Sequence, residues 1–315
     1  YRSYQTAAFF IVQQKKGKLF YEMGGRYDFK NLNAITISRT LPRKIERFSH
    51  FFHNYSLSSG LKYEINDVWE SNFNVGYVLR SPEVNELYSL GLHQGVSGIE
   101  EGNADLKNEK SLKFVFSNDF HLKKKVFIEV LGYFQNLRNY IYLEPQDELR
   151  PTIRGAFPVF EYKQTNATLF GTDILLSYEP VERLKWIAKY AIVRGNDLKN
   201  EVSLLNMPAD NIFSSFSYAF PNLRKFENSE LQLNGRYVFR QDRILEEQDF
   251  LAPPDAYFLL GLQANTSVQL AQSSLKFSLN INNLLNATYR DYLNRQRYFA
   301  DDVGINANIG VKYSF

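Results

Sequence analysis

The sequence predicts an all-β chain: an antiparallel sheet that crosses a membrane as the wall of a β-barrel. Three observations carry this. First, residues 303–315 alternate without a break: Val303, Ile305, Ala307, Ile309, Val311, Tyr313 and Phe315 are apolar or aromatic, and the residues between them are small or polar. Only a strand puts successive side chains on opposite faces, so this segment has one greasy face and one wet face. Second, the same alternation recurs along the chain. Third, the connections alternate between short and long, as periplasmic turns and extracellular loops do in outer-membrane barrels.

The elements follow in order. Phe73, Val75, Tyr77 and Leu79 face away from Asn72, Asn74 and Gly76. Leu112, Phe114 and Phe116 face away from Lys113 and Ser117. Leu231, Leu233, Gly235, Tyr237 and Phe239 interleave with Gln232, Asn234, Arg236 and Arg240, with Val238 breaking the rule. Leu275, Phe277, Leu279 and Ile281 interleave with Lys276, Ser278, Asn280 and Asn282. Extended over the chain, this gives about thirteen strands, with cores at 4–14, 18–30, 48–63, 69–79, 109–121, 126–143, 159–178, 184–194, 211–220, 229–240, 257–270, 274–288 and 303–315. Short connections fall at 14–17, 65–67, 122–125, 179–183, 221–228 and 270–273. Long ones fall at 31–47, 80–108, 145–158, 196–210, 241–256 and 290–302. A soluble sandwich has no reason to sort loop lengths by parity.

Composition agrees. Of 315 residues, 26 are Phe and 21 Tyr, yet 23% are charged, and no run approaches the eighteen apolar residues of a helical span. Many aromatics without a hydrophobic run suit a barrel, whose lipid face is half of each strand. A soluble all-β protein is the alternative that composition leaves open. Cysteine is absent, so there are no disulfides and no thiolate chemistry. The net charge of +3 gives no argument for nucleic acid. Single-chain bacterial barrels have even strand numbers. An odd count whose last strand ends in the periplasm implies that N-terminal wall strands are missing from residues 1–315.

Two segments go beyond architecture. The first runs Leu79-Arg80-Ser81-Pro82-Glu83-Val84-Asn85-Glu86-Leu87-Tyr88 and then Gly102-Asn103-Ala104-Asp105-Leu106-Lys107-Asn108-Glu109. The second is Asn282-Asn283-Leu284-Leu285-Asn286-Ala287-Thr288-Tyr289, ahead of the terminal strand. Together they resemble the TonB-dependent outer-membrane receptors. There an Arg-Ala-Pro box with Glu-Leu-Tyr opens an extracellular loop, a Gly-Asn-Pro-Asn-Leu-Lys-Pro-Glu box closes it, and an Asn-Leu-Phe-Asn-x-x-Tyr signature precedes the last strand. Ser81, Ala104-Asp105 and Asn108 depart from those patterns. The stretch from Tyr292 to Asp302 resembles receptors from Bacteroidetes.

The resemblance implies a 22-stranded barrel plugged by an N-terminal domain. Residues 1–315 are then the C-terminal portion of the barrel, with no second domain and no plug. It implies a multi-pass protein in the outer membrane of a Gram-negative bacterium. Its activity would be uptake of a scarce bulky nutrient, a ferric siderophore or haem, energised by the TonB complex through the N-terminal part. The barrel would do no covalent chemistry and hold no obligatory cofactor. Implied partners are the barrel assembly machinery, reading Tyr313 and Phe315 as an insertion signal, outer-membrane lipid and lipopolysaccharide, and a surface lipoprotein.

Candidate ligand-binding residues lie in the long connections. His93 falls between the two boxes, after Tyr88 and before Gln94-Gly95, where haem receptors of this family place an axial His. A neutral imidazole is a good iron ligand. The last long connection holds Arg290, Arg295 and Arg297 among Tyr289, Tyr292, Tyr298 and Phe299. Arg forks bind carboxylates and aromatics pack flat ligands. The same residues also suit a membrane-boundary girdle meeting lipopolysaccharide phosphates. His50 and His53 lie at odd spacing on opposite faces of a strand and make no metal pair. Rival readings are an autotransporter translocator, a passive porin and an outer-membrane hydrolase. Within the family, vitamin, oligosaccharide and peptide receptors share the signature.

Overall fold

A computed structural model of the chain describes residues 1–38, 41–93, 98–123, 125–270 and 272–315. Arg39, Thr40, Gln94, Gly95, Val96, Ser97, Lys124 and Ala271, all within predicted connections, lie outside the described residues.

The thirteen predicted strands form one ladder. Along it lie β1 (Arg2–Lys16), β2 (Leu19–Ile37), β3 (Ile45–Glu64), β4 (Trp69–Arg80), β7 (Glu109–Leu122), β8 (Val126–Thr152), β9 (Gly155–Tyr178), β10 (Leu184–Asp197), β12 (Asn211–Ala219), β13 (Phe226–Val238), β14 (Tyr257–Gln269), β15 (Ser274–Asn282) and β16 (Asn306–Ser314). Each is antiparallel to the next. Three short strands lie within the long connections: β5 (Leu90–His93), β6 (Gly98–Glu101) and β11 (Val202–Ser203). β1 and β16 are the two ends of the path, so the sheet is open among the described residues. No described helix is long and apolar enough to cross a membrane.

Several expected boundaries move. β2 and β3 continue through much of the predicted connection 31–47, and β8 and β9 fill 145–158 except for Ile153 and Arg154. Prolines 145, 151 and 158 suggest a loop, yet they sit in strand. The reason is position. The β7 ladder on β8 stops at Lys110↔Arg138, and the β10 ladder on β9 stops at Asp197↔Ala167. Beyond those points no described wall strand flanks the hairpin, and β6 covers the β9 edge just at 159–161, so a proline's missing N–H costs little there. The predicted strand 274–288 ends at Asn282, because Asn283 turns into the left-handed region at φ 51°. The terminal strand begins at Asn306 rather than Val303.

The greasy face of the wall stays exposed, with Phe10, Val12, Phe51, Phe116, Phe216 and Ile309 among its residues. Two small clusters of buried apolar side chains form under the long connections. One joins Leu32, Leu87, Leu106 and Ile141; the other joins Leu137, Ala167 and Leu204. A one-layer wall has no sheet-on-sheet core, so the connections supply the packing.

Candidate functional site: a loop cluster at the long-connection end

The first family segment is a clasp. At the end of β4 the Arg80 guanidinium reaches both oxygens of Glu86, at 3.1 and 3.0 Å, and Glu109 at 3.3 Å. Glu86 Oε2 also accepts from the Glu83 N–H at 2.7 Å, which caps the short helix α1 (Val84–Tyr88). Buried Ser81 accepts from Asn54 Nδ2 at 3.0 Å. The Gly102 and Asn103 N–H groups donate to Ser89 O and Glu86 O at 2.7 and 2.8 Å. A Cβ on Gly102 would stand 2.5 Å from the backbone of Leu87 and Tyr88, so only glycine allows this approach. Leu87 and Leu106 then pack together on Leu32 and Ile141. The two boxes thus lock onto each other and onto the wall.

The clasp launches β5 and β6. β6 lies parallel on the free edge of β9, with Ile99 opposite Val159 and Glu100 opposite Phe160. This buries Glu100 to 5% exposure. Its Oε2 accepts from the Tyr162 hydroxyl at 3.3 Å, and that hydroxyl accepts from Asn85 Nδ2 at 3.1 Å. Its Oε1 lies 4.0 Å from His93 Nδ1 and 3.9 Å from Arg295 Nη1.

The last long connection is folded by its own polar groups. Arg290 donates to Asp301 at 2.6 Å and to Arg297 O at 2.7 Å. Asp302 accepts from the Asp291 N–H and from Asn294 Nδ2, both at 2.7 Å. The 3-10 turn Arg295–Tyr298 follows. Arg297, 3% exposed, pairs with Asp249 and donates to Tyr292 O at 3.1 Å. Its guanidinium lies over the Tyr292 and Tyr298 rings, 4.9 and 4.7 Å from their centroids. The Tyr298 hydroxyl donates to Asp249 at 2.6 Å. Burial pushes the Tyr298 phenol above its ordinary pKa, and the Asp249 hydrogen bond adds to this. Burial raises Tyr292 as well. Phe250 stands edge-on between Phe160 and Tyr298, and Arg295 lies 5.0 Å over Phe160.

The structure therefore brings two of the predicted residues together: His93 and Arg295 share Glu100. Arg290, Arg297 and Tyr292 are engaged within the loop fold. Tyr88 stands apart, its hydroxyl bonded to His50 Nε2 and its ring 4.9 Å from Phe48. His53 is on the other face of β3, bonded to the Tyr27 hydroxyl at 2.7 Å. Glu100, Asp249, Phe160 and Phe250 organise the cluster and carry no sequence signature. Among the described residues no group of three His, Cys, Asp or Glu side chains is arranged to hold a metal ion.

The second family segment is also architectural. The Asn283 side chain spans Ala287, donating to its O and accepting from its N–H at 2.8 Å. Asn286, at φ 50°, accepts from the Ile305 N–H at 2.9 Å. These bonds aim the connection into β16, at whose end Tyr313 and Phe315 are exposed.

A family model described as TonB dependent receptor-like, beta-barrel matches residues 1–284. The chain belongs to this family. Among solved structures, the chain is similar to the copper transporter OprC, with a TM-score of 0.80 at 16% identity over 99% of this chain and 48% of that one. The FrpB iron transporter from Neisseria meningitidis (F3-3 variant) gives 0.66 at 17% identity, over 99% and 45%. The siderophore receptor PirA from Acinetobacter baumannii gives 0.63 at 12% identity, over 99% and 55%. At these identities the likeness is one of fold. The chain spans about half the length of the solved structures it matches. Comparison with curated proteins found no match.

Proposed function

We propose that this TonB-dependent receptor wall belongs to an energised outer-membrane importer of a ferric siderophore or haem. The observation that carries the reading is the convergence of the 80–108 and 290–302 connections on Glu100, where Arg295 and His93 meet. A prefolded cap bearing a guanidinium and an exposed imidazole suits an anionic iron chelate. Family membership and the iron, copper and siderophore neighbours support the same class. On this reading the long-connection end faces the outside of a Gram-negative cell, and energy arrives through the TonB complex. The barrel assembly machinery inserts the wall by Tyr313 and Phe315, lipid and lipopolysaccharide surround it, and a surface lipoprotein is the further partner. The wall transports and does no covalent chemistry.

Haem is favoured over other chelates by His93, whose side chain is 62% exposed at the mouth of the cluster. Haem titration of the full-length receptor and its His93→Ala variant tests this. Weakened binding with a shifted Soret band is expected; equal affinity and an unchanged band would remove haem and leave the siderophore.

A further inference from the structure

The outward face of β12–β16 carries a groove of about 490 Å³ that transport does not use. Its sides are Phe220, Leu231, Phe277 and Ile309, and its floor is narrowed to Ala264 and Thr266. The register explains the hollow. Leu231, Ala264, Leu279 and Ile309 lie side by side across four strands, and Ala264 is the one small residue in that row. The next position holds Ser229 and Thr266, whose hydroxyls bond each other at 2.7 Å. The floor therefore presents methyl and methylene surface, with its two hydroxyls bonded to each other. Glu230 and Asn265 also border the groove, at register positions that alternate to the opposite face.

One end of the groove runs to the turn between β12 and β13. Reciprocal backbone bonds between Leu223 and Phe226, at 3.0 and 2.9 Å, close that turn and leave Arg224 and Lys225 exposed at its tip. Lys225 O accepts from the Gln269 N–H at 2.9 Å, which fixes the tip beside the end of β14. Gln269 is three residues beyond Thr266, about 10 Å along a strand. The nearby acid, Glu227, bonds Gln269 Nε2 at 3.0 Å, in the register set opposite to Phe226 and Val268. An apolar channel thus ends at two adjacent cations.

We propose that this groove binds one anionic glycerophospholipid, with an acyl chain along Ala264 and the phosphate at Arg224 and Lys225. The inference rests on reading the exposed apolar face as the lipid face of a membrane wall. Each Lys or Arg near an anionic headgroup contributes about 1 kcal/mol, so two favour an anionic over a zwitterionic lipid by at least about tenfold.

The test is lipid retention by the full-length receptor, purified in mild detergent and exchanged with phosphatidylglycerol or phosphatidylcholine, read by native mass spectrometry. The parent should retain one phosphatidylglycerol in preference to phosphatidylcholine. Arg224→Ser with Lys225→Ser, on an exposed turn, should lose the preference but keep some lipid. Ala264→Phe, which fills the floor, should lose both lipids. Equal retention by the parent and the turn variant would overturn the site. Absence of retained lipid from every form would also overturn the site, whereas a receptor that stays in solution without detergent would overturn the membrane-wall reading beneath it.

Discussion

Arg295 Nη1 lies 3.9 Å from Glu100 Oε1, and this contact joins two connections that are remote in sequence. β6 carries Glu100 to the free edge of β9, and the 3-10 turn of the last connection carries Arg295 over Phe160. Glu100→Gln keeps the shape and removes the charge. It should loosen the junction by about 1 kcal/mol, seen as roughly fivefold faster amide exchange in the last connection and in β6. Exchange in β12 and β13 should not change.

The pair beneath that junction is buried on both sides. Asp249→Asn strands the Arg297 guanidinium in a site with almost no water. The expected cost to loop docking is about 3–5 kcal/mol, because a buried charge without its partner is destabilising. Limited proteolysis should cut the Asp249→Asn receptor within 241–256 or 290–302, where the parent resists.

The clasp makes a steric prediction. Gly102→Ala places a methyl 2.5 Å from the α1 backbone. Separation of the boxes should cost about 1–3 kcal/mol. A lowered denaturation midpoint is expected, while Ala104→Ser at the exposed neighbouring turn should leave the midpoint unchanged.

Tyr298 sets a pH limit on the cap. Its pKa is raised in the folded loop, so its contribution is fully present below the ordinary phenol value of about 10 and is lost as pH rises through the folded value. Tyrosinate absorbance should show late-titrating phenols in the parent, with one fewer in Tyr298→Phe. A parent whose phenols all titrate near the ordinary value would contradict this.

The wall was legible because lipid on one side and an aqueous interior on the other impose a period of two. Thirteen alternating segments became thirteen wall strands, but the short-and-long alternation of the connections broke between β8 and β9, where the expected long connection is the two-residue turn Ile153–Arg154. Prolines 145, 151 and 158 misled because their cost depends on whether a neighbouring strand is present, which is a tertiary fact. Asn283 and Asn286 ended a strand by adopting left-handed backbone, where alternation alone suggested continuation. The site was half legible. Arg295 and His93 stood out by residue type, but Glu100 and Asp249 are ordinary acids until folding buries them against those cations. Arg297 looked like a ligand-binding fork and serves as the loop's internal anchor.

The proposed activity is energised uptake of an iron chelate. The most direct measurement is accumulation of radio-iron, supplied as a panel of ferric siderophores and as haem, by cells with and without this receptor and with and without TonB. One of these chelates should accumulate only when both are present, and Arg295→Ala should reduce its uptake. Uptake that persists without TonB and depends only on solute size would contradict it and indicate a passive pore.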